Sequence, residues 1–123
     1  MGAEFGITKE IPQGKPNVAV LRVNGWLDAH SEGQLVEAVQ KAKAAGAEYV
    51  LIDLGGVSTI TSAGIRAIQR SLGTMTPKGE TVLGRLKLCN APPPVYEVLS
   101  ITGILLSMPM YEGEDIAIDS FGK

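Results

Sequence analysis

Cysteine and histidine are nearly missing from this chain. Cys89 and His30 stand alone among 123 residues. An intramolecular disulfide is thereby excluded, as is a metal centre built on several His or Cys ligands. A catalytic cluster that needs two histidines is excluded too. No apolar run reaches the roughly 18 residues of a membrane-spanning helix, so no membrane insertion is expected. The N-terminal MGAEFGITKE has no charged segment followed by an apolar core. No signal peptide is therefore expected, and the expected location is cytoplasmic. An excess of one charge is also lacking: 11 Lys and Arg face 13 Asp and Glu, for a net charge of −2. Nucleic-acid binders usually carry a basic stripe or a high pI, so nucleic acid is not an expected partner. This poverty in catalytic side chains tilts the reading toward a binding module, not an enzyme, with no cofactor and no metal.

What is present suits a folded domain. The composition is 45% apolar and 20% charged, with 15 Gly and 7 Pro, which is globular and not collagen-like. Surface scaling gives about 6,300 Å² folded against about 18,700 Å² extended, so about two-thirds of the surface is buried and a core forms without staples. The length predicts one domain over 1–123, with its core at about 4–119.

Hydrophobic periodicity predicts the order β-β-α-β-α-β-α-β-α. Residues 4–11 alternate as an edge strand. The β-branched run from Val18 reads as a strand covered on both faces. Ser31 and Gln34 have capping-box spacing before the helical pattern Leu35, Ala38, Val39 and Ala42, which Gly46 closes. Residues 48–54 (EYVLIDL) predict a central strand. Gly55-Gly56 are then expected to let the chain leave the sheet, through a loop at 58–61, into a helix from about Ser62. On that helix Ile65, Ile68 and Leu72 share one face, and Arg66, Gln69 and Arg70 point away. A polar connection is expected at 73–84 and a short alternating strand at 85–89. A proline-started helix carrying Val95, Val98 and Leu99 closes at Gly103. A last apolar strand is expected at 104–110, a terminal helix at 112–118 and a frayed tail. Alternating strands and helices predict an α/β fold: a small, mainly parallel mixed sheet packed with about four helices.

Few residues carry chemistry. Gly55-Gly56 lack the spacing and the lysine of a phosphate loop. Cys89 reads as a small buried hydrophobe, and His30 as an exposed loop residue. Asp28 and Asp53 each fall at a predicted strand end, where ligands gather in open α/β sheets. Asp28 also has a plain reading as a turn carboxylate. The segment Ser58-Thr59-Ile60-Thr61-Ser62-Ala63-Gly64 is the most informative, with four hydroxyls in five positions directly before a helix. One helix N-cap accounts for one hydroxyl, not four. The functional alternative is phosphorylation, which adds about −1.5 to −2 charges. A helix N-terminus tolerates such an anion, while a partner's docking surface need not.

The stretch VLIDLGGVSTITSAGIRAI from Val50 resembles the signature of the STAS domain, a family that includes the bacterial anti-sigma factor antagonists. Gly25-Trp26-Leu27-Asp28 is similar to the family's Gly-x-Leu-Asp. Arg85-Leu86-Lys87-Leu88-Cys89-Asn90, the prolines and Val98-Leu99-x-x-Thr102-Gly103 are similar to its fourth strand and third helix. The likeness spans about residues 4–119. It implies a non-enzymatic partner switch in transcription regulation. The unmodified antagonist binds an anti-sigma factor that is also a serine kinase, phosphorylation before the second helix releases it, and a PP2C-type phosphatase resets it. Sporulation-type members carry Asp-Ser-Ser-Gly where this chain has Thr61-Ser62-Ala63-Gly64. By position the resemblance then makes Ser62 the phosphoacceptor, with Thr61 and Ser58 as fallbacks, Asp28 as the acidic neighbour, and Arg66, Gln69, Arg70 and Thr59 as partner contacts. A weak homodimer is admitted among the partners. The alternatives are a constitutive STAS scaffold or transporter-associated subunit without a phospho-switch, and a small-molecule enzyme at the strand ends.

Overall fold

The structure, a computed structural model, describes residues 4–78 and 84–121. Its accessible surface is 6616 Å², close to the scaling value. Five strands form one mixed sheet in the order β1-β2-β3-β4-β5. These are β1 Gly6–Glu10, β2 Val18–Leu27, β3 Tyr49–Ile60, β4 Leu86–Cys89 and β5 Met110–Tyr111. β1 is the antiparallel edge strand on β2, and β2 to β5 run parallel. The helices are α1 Glu32–Ala44, α2 Ser62–Met75, α3 Pro93–Thr102 and α4 Glu114–Ser120. The α/β class and the element order follow the periodicity of the sequence.

Strand pleating divides the core in two. Ala19, Leu21 and Val23 of β2 and Val50, Ile52 and Leu54 of β3 face a large cluster. It is closed by Leu35 and Val39 of α1, Ala67 and Ile68 of α2, and Val95 and Leu99 of α3. The alternate residues Val18, Val20, Leu51 and Cys89 face a small cluster closed by Ala117 of α4 and Phe121. Three helices thus cover one face of the sheet and a single short one covers the other.

Several expectations need correction. Gly55 and Gly56 do not take the chain out of the sheet: β3 continues to Ile60, with register shifts against β2 between Arg22 and Asn24 and between Gly25 and Trp26. Each shift takes up one extra residue of β3 in a β-bulge, and at Gly56 the Asn24 side chain occupies the space a Cβ would take. Asp53 therefore lies inside the strand and not at its end. The α1 capping box does not form. Ser31 makes no side-chain cap bond, because its hydroxyl donates to the Trp26 carbonyl (2.8 Å) and accepts from the Asp28 amide (2.9 Å). The polar connection expected from residue 73 begins later, since α2 runs to Met75, which is buried in the core. Its middle, residues 79–83, lies outside the described residues.

The expected last strand is mostly not a strand. Residues 104–106 form a 3-10 turn and only Met110–Tyr111 pair with β4. Apolar character alone does not separate these states. Ile104 and Met108 plug the core, and Pro109 has no N–H to offer a ladder. β4 does not alternate either, as all four of its residues are buried. Nor does the tail fray before residue 121, because α4 extends to Ser120 and the Phe121 ring stacks on Tyr49, with centroids 5.0 Å apart.

Candidate functional site

The ends of β2 and β3 meet at the head of α2. Thr61 is extended, with φ −112° and ψ 178°, and its Oγ1 accepts weakly from the Gly64 amide at 3.4 Å. Its own N–H donates to the Leu27 carbonyl at the end of β2 (3.1 Å). Gly64 packs so closely on that carbonyl that a Cβ would collide with it. The helix start is thus fixed against the β2 terminus, and Asp28 follows directly. The amides of a helix's first turn have no carbonyl ahead of them, so they favour an anion.

On this frame the hydroxyls separate by role. Ser62 is exposed at the first position of α2, Thr61 is the exposed cap, and Ser58 is exposed on β3. Thr59 is half-buried beside Trp26 in the strand register. Ala63, in the slot directly before Gly64, is buried. Asp28 is a turn carboxylate: its Oδ1 accepts from the amides of His30 (2.9 Å) and Ser31 (3.3 Å). His30 is exposed.

Arg66, Gln69 and Arg70 lie together on the exposed face of α2. The two arginines are not free. Glu32, the first residue of α1, accepts from Arg66 Nε (2.7 Å) and Nη2 (2.8 Å) and from Arg70 Nη1 (3.3 Å). The arginines hold its carboxyl below the usual carboxylate range, Arg66 foremost by direct hydrogen bonding. Its low exposure comes from the guanidiniums laid over it, not from the core. Glu32 was not singled out from sequence, because its partners lie 34 and 38 residues away. Trp26 was missed as a surface residue. It stays 43% exposed where β2 ends.

A second polar cluster lies on the other face of the sheet. Arg22 forks onto Glu114 of α4 (2.8 and 2.7 Å) and also reaches Glu10 (2.6 Å). Asp53 accepts from the Gly55 amide (2.8 Å) and from Asn90 Nδ2 (3.0 Å). Burial, then the neighbouring Glu114 carboxyl, pushes Asp53 upward. Hydrogen bonding from Arg22 brings Glu114 down to about 2. Burial, reinforced by the Asp53 and Glu114 charges, raises the Cys89 thiol to about 12, which leaves it without nucleophilic character at neutral pH. Lys87 lies over the Phe121 and Tyr111 rings (4.8 and 5.5 Å) and donates to the Ser120 carbonyl (3.1 Å) and hydroxyl (2.7 Å). These contacts pin α4 at both ends.

Among the described residues no group of three His, Cys, Asp or Glu side chains is placed to hold a metal ion. No helix there is long and apolar enough to cross a membrane. Two open clefts, of about 500 and 520 Å³, flank Asn90; neither is lined by Asp28 or Ser62.

Comparison with known proteins agrees with this fold. The sequence model of the STAS domain matches residues 11–117. An anti-sigma F factor antagonist of Paenibacillus polymyxa is 28% identical over 101 residues, covering 79% of this chain and 80% of that one. An anti-sigma factor antagonist of Mycobacterium paratuberculosis superposes with a TM-score of 0.80 at 19% identity, covering 98% of this chain and 96% of that one. SpoIIAA in its unphosphorylated form gives 0.73 at 24% identity over 93% and 94% of the two chains. The Bacillus protein in its phosphorylated form gives 0.66 at 23% over 93% and 97%. With the family match running through nearly the whole chain, this protein belongs to the STAS domain family and is a domain of the anti-sigma factor antagonist type.

Proposed function

We propose that this chain is a partner switch that binds an anti-sigma factor serine kinase while Ser62 is unmodified and lets go when Ser62 is phosphorylated. The observation that carries the reading is the exposed Ser62 hydroxyl at the head of α2. Beside it lies an exposed helical face bearing Arg66, Gln69 and Arg70. In the transfer, Ser62 Oγ bonds to the γ-phosphorus of the kinase's ATP, the bond to ADP breaks, and a base on the kinase takes the hydroxyl proton. The added charge of about −1.5 to −2 rests easily on the free first-turn amides. The same charge opposes a partner fitted to the unmodified face. A PP2C-type phosphatase restores the hydroxyl by hydrolysis. SpoIIAA, a relative by fold, is known in both unphosphorylated and phosphorylated forms, which supports placing the modification in this family. Thr61 and Ser58 are the alternative acceptors, Asp28 stands at the adjoining β2 terminus, and Thr59 borders the surface.

The test is binding of the cognate kinase. Ser62→Ala retains binding and Ser62→Asp loses at least tenfold; equal binding by the two variants overturns the switch. A second reading has its own support: the position before Gly64 is the buried Ala63, with no hydroxyl. On that reading the domain is a constitutive scaffold or transporter-associated subunit, and mass spectrometry of protein from its native host finds no phosphate on residues 58–62 in any growth state.

A further inference from the structure

We propose that phosphorylation of Ser62 draws Arg66 off Glu32, so that one modification adds an anion at the head of α2 and uncovers a second on α1. This inference rests on Ser62 being the acceptor.

The starting arrangement is unbalanced in charge. Arg66 forks onto the Glu32 carboxylate and Arg70 adds a longer contact to the same oxygen. Two guanidinium cations against one carboxylate leave one positive charge unmatched. Ser62 and Arg66 are four residues apart on α2, so their side chains are neighbours on one helix face, about 5–6 Å apart at Cβ. The anion precedes the cation along the helix, which is the favourable order. Thr61 lies five residues before Arg66 and is rotated off that face, and Ser58 is on β3. Among the candidate hydroxyls, Ser62 is therefore the one whose phosphate faces this arginine.

The competition favours the phosphate. A guanidinium fork fits phosphate and carboxylate equally well, but near neutral pH the phosphate carries about twice the charge. The existing pair is exposed on the arginine side, and ion pairs in solvent are weakly held, so exchanging partners costs little. Glu32 then keeps only the longer Arg70 contact of 3.3 Å and loses the two short bonds that covered it. After the exchange the cluster of Glu32, Arg66, Arg70 and phosphate carries about one net negative charge, where the unmodified cluster carries one positive. A partner seated across α1 and α2 meets a reversed sign over two helices and not a single new charge at one residue.

The test uses full-length protein carrying phosphoserine at position 62, made by its kinase or by co-translational incorporation. The second phosphate ionisation is followed by phosphorus NMR against pH in the otherwise native protein and in Arg66→Gln and Glu32→Gln. The expected result is a phosphate pKa higher by a few tenths of a unit in Arg66→Gln. In Glu32→Gln it is lower, because the arginine has lost its competing carboxylate. Circular dichroism checks that the variants are folded. The same pKa in native protein and in Arg66→Gln overturns the exchange. Kinase binding by the phosphorylated and unmodified proteins separates this outcome from failure of the switch. Binding lost with no titration difference rejects the exchange and leaves the switch standing. A titration difference with unchanged binding keeps the exchange and rejects the switch.

Discussion

The two charge clusters of this domain lie on opposite sides of one sheet and differ in construction. Glu32, Arg66 and Arg70 sit on the outer surface of α1 and α2, with both arginines more than half exposed. Arg22, Glu114, Asp53 and Asn90 are wedged between the sheet and α4, joined by bonds that span up to 92 residues of sequence. Charges in solvent interact weakly and exchange partners freely. Asp53 is buried within β3 and the Arg22–Glu114 pair beside it is partly withdrawn from solvent, which makes these charges costlier to separate. The first cluster therefore suits an adaptable surface, and the second suits holding a short helix in place.

The largest effect that tests this contrast is Arg22→Met. It leaves Glu114 beside Asp53 with no guanidinium, and urea unfolding is expected to show a loss of about 2 kcal/mol, less than for a fully buried pair because Arg22 is 40% exposed. A loss no greater than that of a surface substitution would erase the contrast. Next is the acid dependence carried by Glu114. Its folded value near 2 lies below the ordinary value of 4.5, so its stabilisation is complete above about pH 4.5 and disappears as the pH falls toward 2. Asp53, displaced upward, acts in the opposite direction and favours the folded state at the acid end of its range. Native protein is accordingly expected to exceed Glu114→Gln by about 1–2 kcal/mol at pH 7, the gap narrowing between pH 5 and 2 in denaturant titrations. A gap that does not change with pH would remove Glu114 as its source. The smallest effect belongs to Glu32→Gln in the unmodified protein. Its urea midpoint is expected to coincide with that of the native protein, and a clear downward shift would place the surface cluster among the structural ones.

Sequence periodicity revealed what is decided locally. The β3 core, the α1 and α2 faces and the proline start of α3 each depend on neighbours within a turn or two. What stayed hidden depends on distant partners. Gly56 reads as a break until Asn24 of β2 is seen occupying its side-chain space. The run 104–110 has the hydrophobicity of a strand, yet it turns so that Ile104 and Met108 reach the core. Glu32 has the appearance of an ordinary first-turn acid until α2 brings two arginines onto it. The Arg22, Glu114 and Asp53 group joins three elements from the two ends and the middle of the chain, and no spacing rule announces it.

The contact between Gly64 and the Leu27 carbonyl has a consequence for how such domains diversify. That position admits no side chain without forcing β2 and α2 apart, while Ser58 and Ser62 just upstream point into water. Side chains at those two sites are therefore open to replacement without disturbing the scaffold, so the surface beside the α2 head can be rewritten while the architecture beneath stays the same.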